Sequence, residues 1–124
     1  MKISCGTDII EIERIKKSIE NVGEKFLKTI FTEKEIEYCE AHKNNKYQHY
    51  AARFAAKEAI YKALSKISDI KTVSWKQFEI INNDDGKPEI VLEDNRIESI
   101  DISLAHCKEY AIANVVVLIN EKNS

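Results

Sequence analysis

The sequence contains little glycine and proline, with 3 Gly and 1 Pro among its 124 residues. This composition excludes collagen, Pro-rich recognition segments and long disordered linkers. Its longest uninterrupted apolar run, residues 115–119, is far too short to cross a membrane. No apolar stretch typical of a signal peptide precedes the first acid, Asp8. We therefore expect one domain that spans residues 1–124.

Cysteine is also scarce, and the spacing of the cysteines matches no metal-binding motif. The three residues Cys5, Cys39 and Cys107 are odd in number and form no C-x-x-C pair. Such usage argues against a disulfide framework and against a zinc site. We expect a reduced, cytoplasmic protein.

Charge is nearly balanced overall but is unevenly distributed. The 19 basic and 21 acidic residues give a net charge of −2. Residues 41–66, however, carry six Lys or Arg residues and a single acid, Glu58. This asymmetry indicates that the central segment faces an anionic group, the alternative being a solvated helix face. Nucleic-acid binding is disfavoured, because no basic patch interleaved with aromatic residues is present.

The first half of the chain has the pattern of a strand followed by helices. Residues 2–8 are typical of a short strand. Spacings of three and four then predict an amphipathic helix through the apolar series Ile12, Ile15, Ile19, Val22 and Phe26. Thr32 and Glu35 form a capping box that starts a second helix, ending near His42. An alanine-rich third helix is predicted from about Gln48 to Ser65.

The second half has the pattern of strands. Residues 73–81 and 89–93 flank a turn-forming segment, and residues 100–104 alternate between apolar and polar. Residues 110–119 are apolar in both phases, as expected of a central strand covered on both faces. This order predicts an α+β fold with an antiparallel sheet.

The third helix carries a cluster of charges suited to a phosphate and a metal ion. A carboxylate, Glu58, lies among the cations Arg53, Lys57 and Lys62. Carboxylates hold Mg²⁺, and basic groups hold phosphate oxygens. The alternative is an ordinary pair between Glu58 and Lys62, four residues apart on one helix face.

Two further residues are candidates for the same site. Asp8 follows Gly6, which permits close backbone approach, and Asp8 with Glu58 would supply the two carboxylates that Mg²⁺ commonly takes from a protein. The alternative for Asp8 is a helix N-cap. His106 is expected at a strand end, where it can contact a phosphate or nucleotide or serve only as a turn residue.

Four motifs occur together in one order: Gly6-Thr7-Asp8; Arg53-Phe54-Ala55-Ala56-Lys57-Glu58-Ala59 with Lys62; Gly86-Lys87-Pro88; and Ser103-Leu104-Ala105-His106. In this combination the chain resembles the holo-acyl-carrier-protein synthases, small bacterial 4′-phosphopantetheinyl transferases. The resemblance extends from Ile3 to about Val117. It implies a transferase that moves 4′-phosphopantetheine from coenzyme A to a serine of apo acyl carrier protein, supporting fatty acid biosynthesis and releasing adenosine 3′,5′-bisphosphate.

The resemblance also implies roles for individual residues. Asp8 and Glu58 would hold Mg²⁺, and Glu58 and Lys62 would be catalytic. Coenzyme A would be bound by Arg53, Lys57, Lys62 and His106. Two groups remain open as acceptor of the serine proton, namely Glu58 and a water molecule on the metal ion.

The resemblance further implies a homotrimer and a docking surface for the acidic carrier protein on the first helix. That surface would comprise Arg14, Lys17, Lys25, Phe26 and Lys28. Its alternative is a solvated face of mixed charge, with Phe26 in the core.

The sequence departs from the family at two places. Residues 65–69 replace a glycine-rich turn, and Ser4 replaces the first glycine of the N-terminal motif. Two other functions remain alternatives: the same transfer to a polyketide- or peptide-synthase carrier domain, and a non-catalytic coenzyme A-binding module.

Overall fold

The computed structural model describes residues 1–65 and 74–120. The elements in chain order are β1 Lys2–Glu11, α1 Ile12–Val22, α2 Glu24–Ile30, α3 Glu33–Ala41, α4 Lys46–Leu64, a 3₁₀ turn Trp75–Gln77, β2 Glu79–Asn82, β3 Pro88–Val91, β4 Ile97–His106 and β5 Tyr110–Ile119.

The strands form two antiparallel sheets. The larger has the order β1-β5-β4, so β5 is central as predicted, and β2 pairs with β3 around a turn that contains Gly86. Helices lie between the N-terminal strand and the remaining strands in sequence. The predicted α+β class with an antiparallel sheet is confirmed.

The predicted first helix is divided into α1 and α2. Gly23, between them, adopts a φ of 77°, in the left-handed region that glycine enters most readily. Its backbone N–H bonds to the carbonyl of Ile19 and ends α1. The expectation that Val22 lies on the buried face is wrong, because this residue is 55% exposed.

Other boundaries also differ from the sequence prediction. β1 continues to Glu11, beyond the predicted residues 2–8. In place of a strand over residues 73–81, the structure has the 3₁₀ turn and the shorter β2, while residue 73 lies outside the described part. Most of the unusual turn at residues 65–69 lies outside it too.

The capping box that starts α3 is present as predicted. The hydroxyl of Thr32 accepts from the backbone N–H of Glu35 at 3.3 Å, and Glu35 Oε1 accepts from the backbone N–H of Thr32 at 2.8 Å. The two bonds satisfy donors that would otherwise lack partners at the helix end.

The core forms where α4 packs against the sheet, and the backbones of α4 and β1 lie unusually close to each other. A Cβ atom on Gly6 would stand 2.0 Å from the carbonyl oxygen of Ala59, so only glycine fits there. One turn further along, the hydroxyl of Ser4 donates to the carbonyl of Ala63 at 2.7 Å. The small residues of α4 therefore allow β1 and the helix backbone to meet directly, which fixes α4 on the strand.

The opposite face of the sheet is not covered within the chain. Val116 on β5 is 50% exposed, and Ile3 on the neighbouring β1 is 71% exposed. The prediction that β5 is covered on both faces is wrong for the single chain, because the helices pack against one face only. An apolar surface is left open.

In the described residues, no helix is long and apolar enough to span a membrane.

We expect Gly6→Ala to destabilise the protein, because the added methyl group cannot be accommodated without moving β1 from α4. Overpacking of this kind costs about 1–3 kcal/mol. Chemical denaturation measures the change, with Lys2→Ala, at an exposed position of the same strand, as the control expected to stay within about 0.5 kcal/mol of wild type. Unchanged stability of Gly6→Ala would contradict the close approach.

Candidate active site

The contact between β1 and α4 brings three predicted residues together. Side chains alternate along a strand, so Asp8 projects to the same face as Gly6, towards α4. There the ammonium group of Lys62 donates to Asp8 Oδ1 and to the carbonyl of Thr7, both at 3.0 Å. Glu58 lies one turn before Lys62 on the same helix face. The Gly-x-Asp spacing thus has a physical meaning, since glycine admits the helix that carries the partners of the aspartate.

The electrostatic environment of Glu58 is unfavourable to its charge. Burial raises the pKa of this carboxyl from its ordinary value, and the negative charge of Asp8 raises it further, while Lys62 acts in the opposite direction. Two carboxylates with one ammonium group leave a local excess of negative charge. A cation bound between the carboxylates would relieve it.

The described residues contain no group of three or more His, Cys, Asp or Glu side chains placed to hold a metal ion. Asp8 and Glu58 are two carboxylates, and Mg²⁺ commonly takes one or two protein carboxylates and fills its remaining positions with water and phosphate oxygens.

Glu58 lies at the wall of two cavities. The larger, about 570 Å³, is also lined by Asp8, Arg14 and Phe26. The smaller, about 190 Å³, is lined by the aromatic residues Tyr61, Trp75 and Phe78 together with Lys57 and Ser74. The ring of Phe54, from the larger cavity, stacks on that of Trp75, from the smaller one, with centroids 5.3 Å apart.

Lys57 does not have the placement that the sequence suggested. Its side chain is fully buried, and its ammonium group lies 2.8 Å from a carboxylate oxygen of Glu35. The same group donates to the carbonyls of Trp75 and Phe78 at 2.8 and 2.7 Å. An ammonium group has three donors. All three are used inside the chain, so Lys57 has none left for a phosphate, and burial lowers its pKa against the opposing effect of Glu35.

Arg53 is likewise directed into the protein. It is 2% exposed, its guanidinium carbon lies 4.1 Å from the centre of the Tyr38 ring, and it donates to the side-chain oxygen of Asn82. The expected basic lining formed by Arg53 and Lys57 is therefore an internal scaffold in this structure. Sequence spacing could not show this, because both helix faces are buried at this point of α4.

His106 is separate from the cavities at Glu58. It is exposed at the end of β4, where it pairs with Ala111, and it lines neither of the two cavities that Glu58 lines. The described residues of one chain therefore bring together Asp8, Glu58 and Lys62 without His106.

The predicted docking residues are divided between α1 and α2. Arg14, Lys17, Lys25 and Lys28 are exposed, and Phe26 is half-buried against the core. Lys28 forms an exposed ion pair with Glu24 at 3.6 Å. Arg14 and Phe26 both line the larger cavity, so this surface is continuous with Asp8 and Glu58.

Two aromatic residues of the site were missed by the sequence reasoning. Phe54 precedes Glu58 by four residues, and this spacing could have placed it beside the carboxylate. Trp75 reaches the site only through tertiary packing, and no local pattern indicates it.

We expect the pKa of Glu58 to lie above 4.5, its ordinary value, because burial and Asp8 both disfavour the charged form. Asp8→Asn should lower this pKa and Lys62→Met should raise it. The measurement is ¹³C NMR titration of the side-chain carboxyl in metal-free buffer. Glu11→Gln is the control, because Glu11 lines the same cavity without contributing to the shift. A Glu58 pKa at or below 4.5 would contradict the geometry.

The raised pKa also predicts a dependence of stability on pH. The folded protein keeps the Glu58 proton to a higher pH than the unfolded chain does. This group therefore lowers the free energy of unfolding as the pH rises from 4.5 through the folded-state pKa. Glu58→Gln should be more stable than wild type above that range, and the difference should vanish below it. Thermal unfolding in chelator, at about pH 4 and about pH 7, measures this.

Comparison with known proteins identifies the family of this chain. Residues 4–115 match the family model of the 4′-phosphopantetheinyl transferase superfamily. The holo-[acyl-carrier-protein] synthase of Ruminiclostridium cellulolyticum is 44% identical over 129 residues, with 98% of this chain and 96% of the relative covered. That of Thermodesulfovibrio yellowstonii is 48% identical over 112 residues, covering 90% and 95%.

Solved structures of holo-[acyl-carrier-protein] synthases are similar to this chain in both sequence and fold. A holo-(acyl-carrier-protein) synthase from Bacillus anthracis in complex with CoA (3′,5′-ADP) is 34% identical, with a TM-score of 0.77 and coverage of 92% of this chain and 94% of that one. The Helicobacter pylori holo-[acyl-carrier-protein] synthase in complex with coenzyme A is 31% identical, with a TM-score of 0.79 and coverage of 92% and 99%. This chain belongs to the 4′-phosphopantetheinyl transferase superfamily.

Proposed function

We propose that this protein is a holo-[acyl-carrier-protein] synthase that transfers 4′-phosphopantetheine from coenzyme A to a serine of apo acyl carrier protein. The observation that carries the proposal is the cluster of Asp8, Glu58 and Lys62, of which the two carboxylates line a cavity of about 570 Å³. Support comes from relatives of that name that match nearly the whole chain, two of them solved with coenzyme A or its 3′,5′-ADP part. In this assignment the protein serves fatty acid biosynthesis in the cytoplasm.

Asp8 and Glu58 are the residues that we assign to Mg²⁺. Their proximity fits a divalent cation, since each carboxylate disfavours the charge of the other and Lys62 compensates only in part. Bound there, Mg²⁺ would neutralise charge on the pyrophosphate and improve the bisphosphate leaving group.

Lys62 and His106 are assigned to the phosphates of coenzyme A. The side chain of Lys62 is 51% exposed, so its ammonium group is accessible from solvent while Asp8 holds it in place. Phosphoryl transfer depends mainly on positioning and charge neutralisation, which an anchored ammonium group supplies.

Glu58 is the group that we assign to the serine proton. A carboxylate has two oxygens, so one can hold the cation while the other accepts the proton. Glu58 also lines the cavity that opens towards α1, from which a carrier serine would enter.

The carrier protein is proposed to dock on α1 and α2 through Arg14, Lys17, Lys25, Phe26 and Lys28. These four cations are exposed, and Arg14 and Phe26 lead directly into the cavity. Acidic partners are attracted by such a surface, mainly through faster association.

A homotrimer is proposed as the active assembly. The open sheet face includes Ile3 and Val116, which are 71% and 50% exposed, and contact with other copies would bury them. His106 lies outside the cavities of Glu58 in the single chain, and a neighbouring copy can supply this residue to complete the site.

We expect Asp8→Asn and Glu58→Gln each to reduce phosphopantetheine transfer by about 100- to 1000-fold, because each removes a carboxylate assigned to the cation that would neutralise charge in the transition state. Intact-mass spectrometry of apo carrier protein with coenzyme A and Mg²⁺ measures the transfer. Glu11→Gln is the matched control, an acid lining the same cavity that is expected to keep near-normal turnover. A folded Glu58→Gln variant with wild-type turnover would contradict the assignment.

We expect Arg14→Glu to raise KM for carrier protein by about fivefold, the effect of losing one exposed ion pair, and to leave KM for coenzyme A nearly unchanged. Added salt should weaken the wild type in the same direction. Lys43→Glu, the same charge reversal in the exposed segment before α4, is the control. An equal rise in both KM values would place α1 in the nucleotide site instead.

Light scattering is expected to give three times the chain mass of 14.3 kDa. Val116→Lys, which places a charge on the open sheet face, should shift the protein towards monomer and reduce activity with it. A fully active wild-type monomer at assay concentration would refute the assembly.

A further inference from the structure

The contact between Glu35 and Lys57 is the most deeply buried ion pair among the described residues, with both side chains fully inaccessible. Besides Lys57, the carboxylate of Glu35 accepts from the backbone N–H groups of Thr32 and Ile80 at 2.8 and 2.9 Å. One carboxylate therefore ties the start of α3 and β2 to α4.

Lys57 extends these ties to the segment that includes the 3₁₀ turn. Its ammonium group donates to the carbonyls of Trp75 and Phe78 as well as to Glu35. Both carbonyls belong to residues whose side chains form the wall of the smaller cavity. The path of this backbone segment is thus set by a side chain of α4.

This wall lies directly beside the reacting end of the site. Lys57 is followed in sequence by Glu58, and Glu58, Trp75 and Phe78 line the same cavity of about 190 Å³. Trp75 stacks on Phe54, which lines the larger cavity together with Asp8. A shift of Trp75 would therefore also move Phe54. A displacement of the 3₁₀ turn would therefore change the surroundings of Glu58 in both cavities.

Stability alone does not account for the pair. Removing two charges from water is costly, and replacement of a buried ion pair by apolar residues of similar volume is often neutral or stabilising. The hydrogen bonds of a charged pair, in contrast, are directional, so they are all formed in only one arrangement of α3, α4, β2 and the 3₁₀ turn.

We propose that Glu35 and Lys57 are positioning residues for the transfer reaction, holding the Trp75–Phe78 wall against Glu58. This inference rests on the proposed function. The pair touches neither donor nor acceptor in this assignment and acts through Glu58 and the aromatic wall.

The test is the double variant Glu35→Leu with Lys57→Met, which removes both charges together, so that neither is left unpaired. It also removes the partners of four backbone groups, namely the N–H groups of Thr32 and Ile80 and the carbonyls of Trp75 and Phe78. We expect its thermal stability to be lower than that of wild type, because these backbone groups lose their hydrogen-bond partners. Measured well below its melting temperature, kcat should fall by about 10- to 100-fold, the effect of misplacing a reacting group by a fraction of an ångström to about 1 Å. The effect on KM for carrier protein should be smaller than the effect on kcat, because the bonds of the pair go to Thr32, Ile80, Trp75 and Phe78 and to none of the exposed docking residues.

Fluorescence supplies a readout that does not depend on activity. Trp75 is the only tryptophan of the sequence, so its emission reports the wall directly. In the double variant we expect a red shift and increased quenching by acrylamide. The control is Tyr50→Phe, which removes the 2.6 Å hydrogen bond from Tyr50 to Glu40. This bond also joins α3 to α4, but it makes no contact with the Trp75–Phe78 wall. This control should leave both fluorescence and kcat near wild type.

A folded double variant that retains the kcat and the Trp75 emission of wild type would overturn the proposal. Should the apolar pair not fold, the variant Glu35→Gln with Lys57→Gln keeps buried hydrogen-bonding groups without charge, and the same readouts apply to it. Absence of transfer by the wild type would refute the proposed function instead, and the fluorescence arm would still decide whether the pair holds the wall.

Discussion

The close contact of β1 with α4 at Gly6 is the constraint on which the rest of the site depends. A side chain at this position would collide with the carbonyl of Ala59, so the strand and the helix backbone touch directly. Because strand side chains alternate, Asp8 then faces the helix, and the helix repeat brings Glu58 and Lys62 to it. The need for glycine at position 6 therefore also determines where the charged side chains of Asp8, Glu58 and Lys62 meet.

The helix α4 uses neighbouring charges for opposite purposes. Lys57 points into the interior and is fully satisfied by Glu35 and two carbonyls, whereas Glu58 lines two cavities. The interior charge contributes directed bonds that fix the arrangement of segments. The charge at the cavity wall stays under-compensated, with a raised pKa, and is therefore available to a cation or a proton. Burial and partner number, rather than residue type, separate the two roles.

Function at this site opposes stability. Asp8 and Glu58 disfavour each other's charge, and the single ammonium group of Lys62 offsets only part of that repulsion. The exposed apolar face of the sheet has a similar character, since Val116 and Ile3 leave surface uncovered in the single chain. Both features are unfavourable for an isolated chain, and the proposed cation and the proposed trimer would offset them.

Local patterns in the sequence determined the α+β class, the capping box at Thr32, the central strand β5 and the family, because periodicity, capping and motif spacing depend on near neighbours. The break at Gly23 was missed because an apolar repeat continues across it. Only the tertiary structure decided that Lys57 is internal and that Trp75 stands beside Glu58, because partners of these residues come from segments distant in sequence. The sequence shows which residues are charged, but the role of each charge depends on the groups that the fold places beside it.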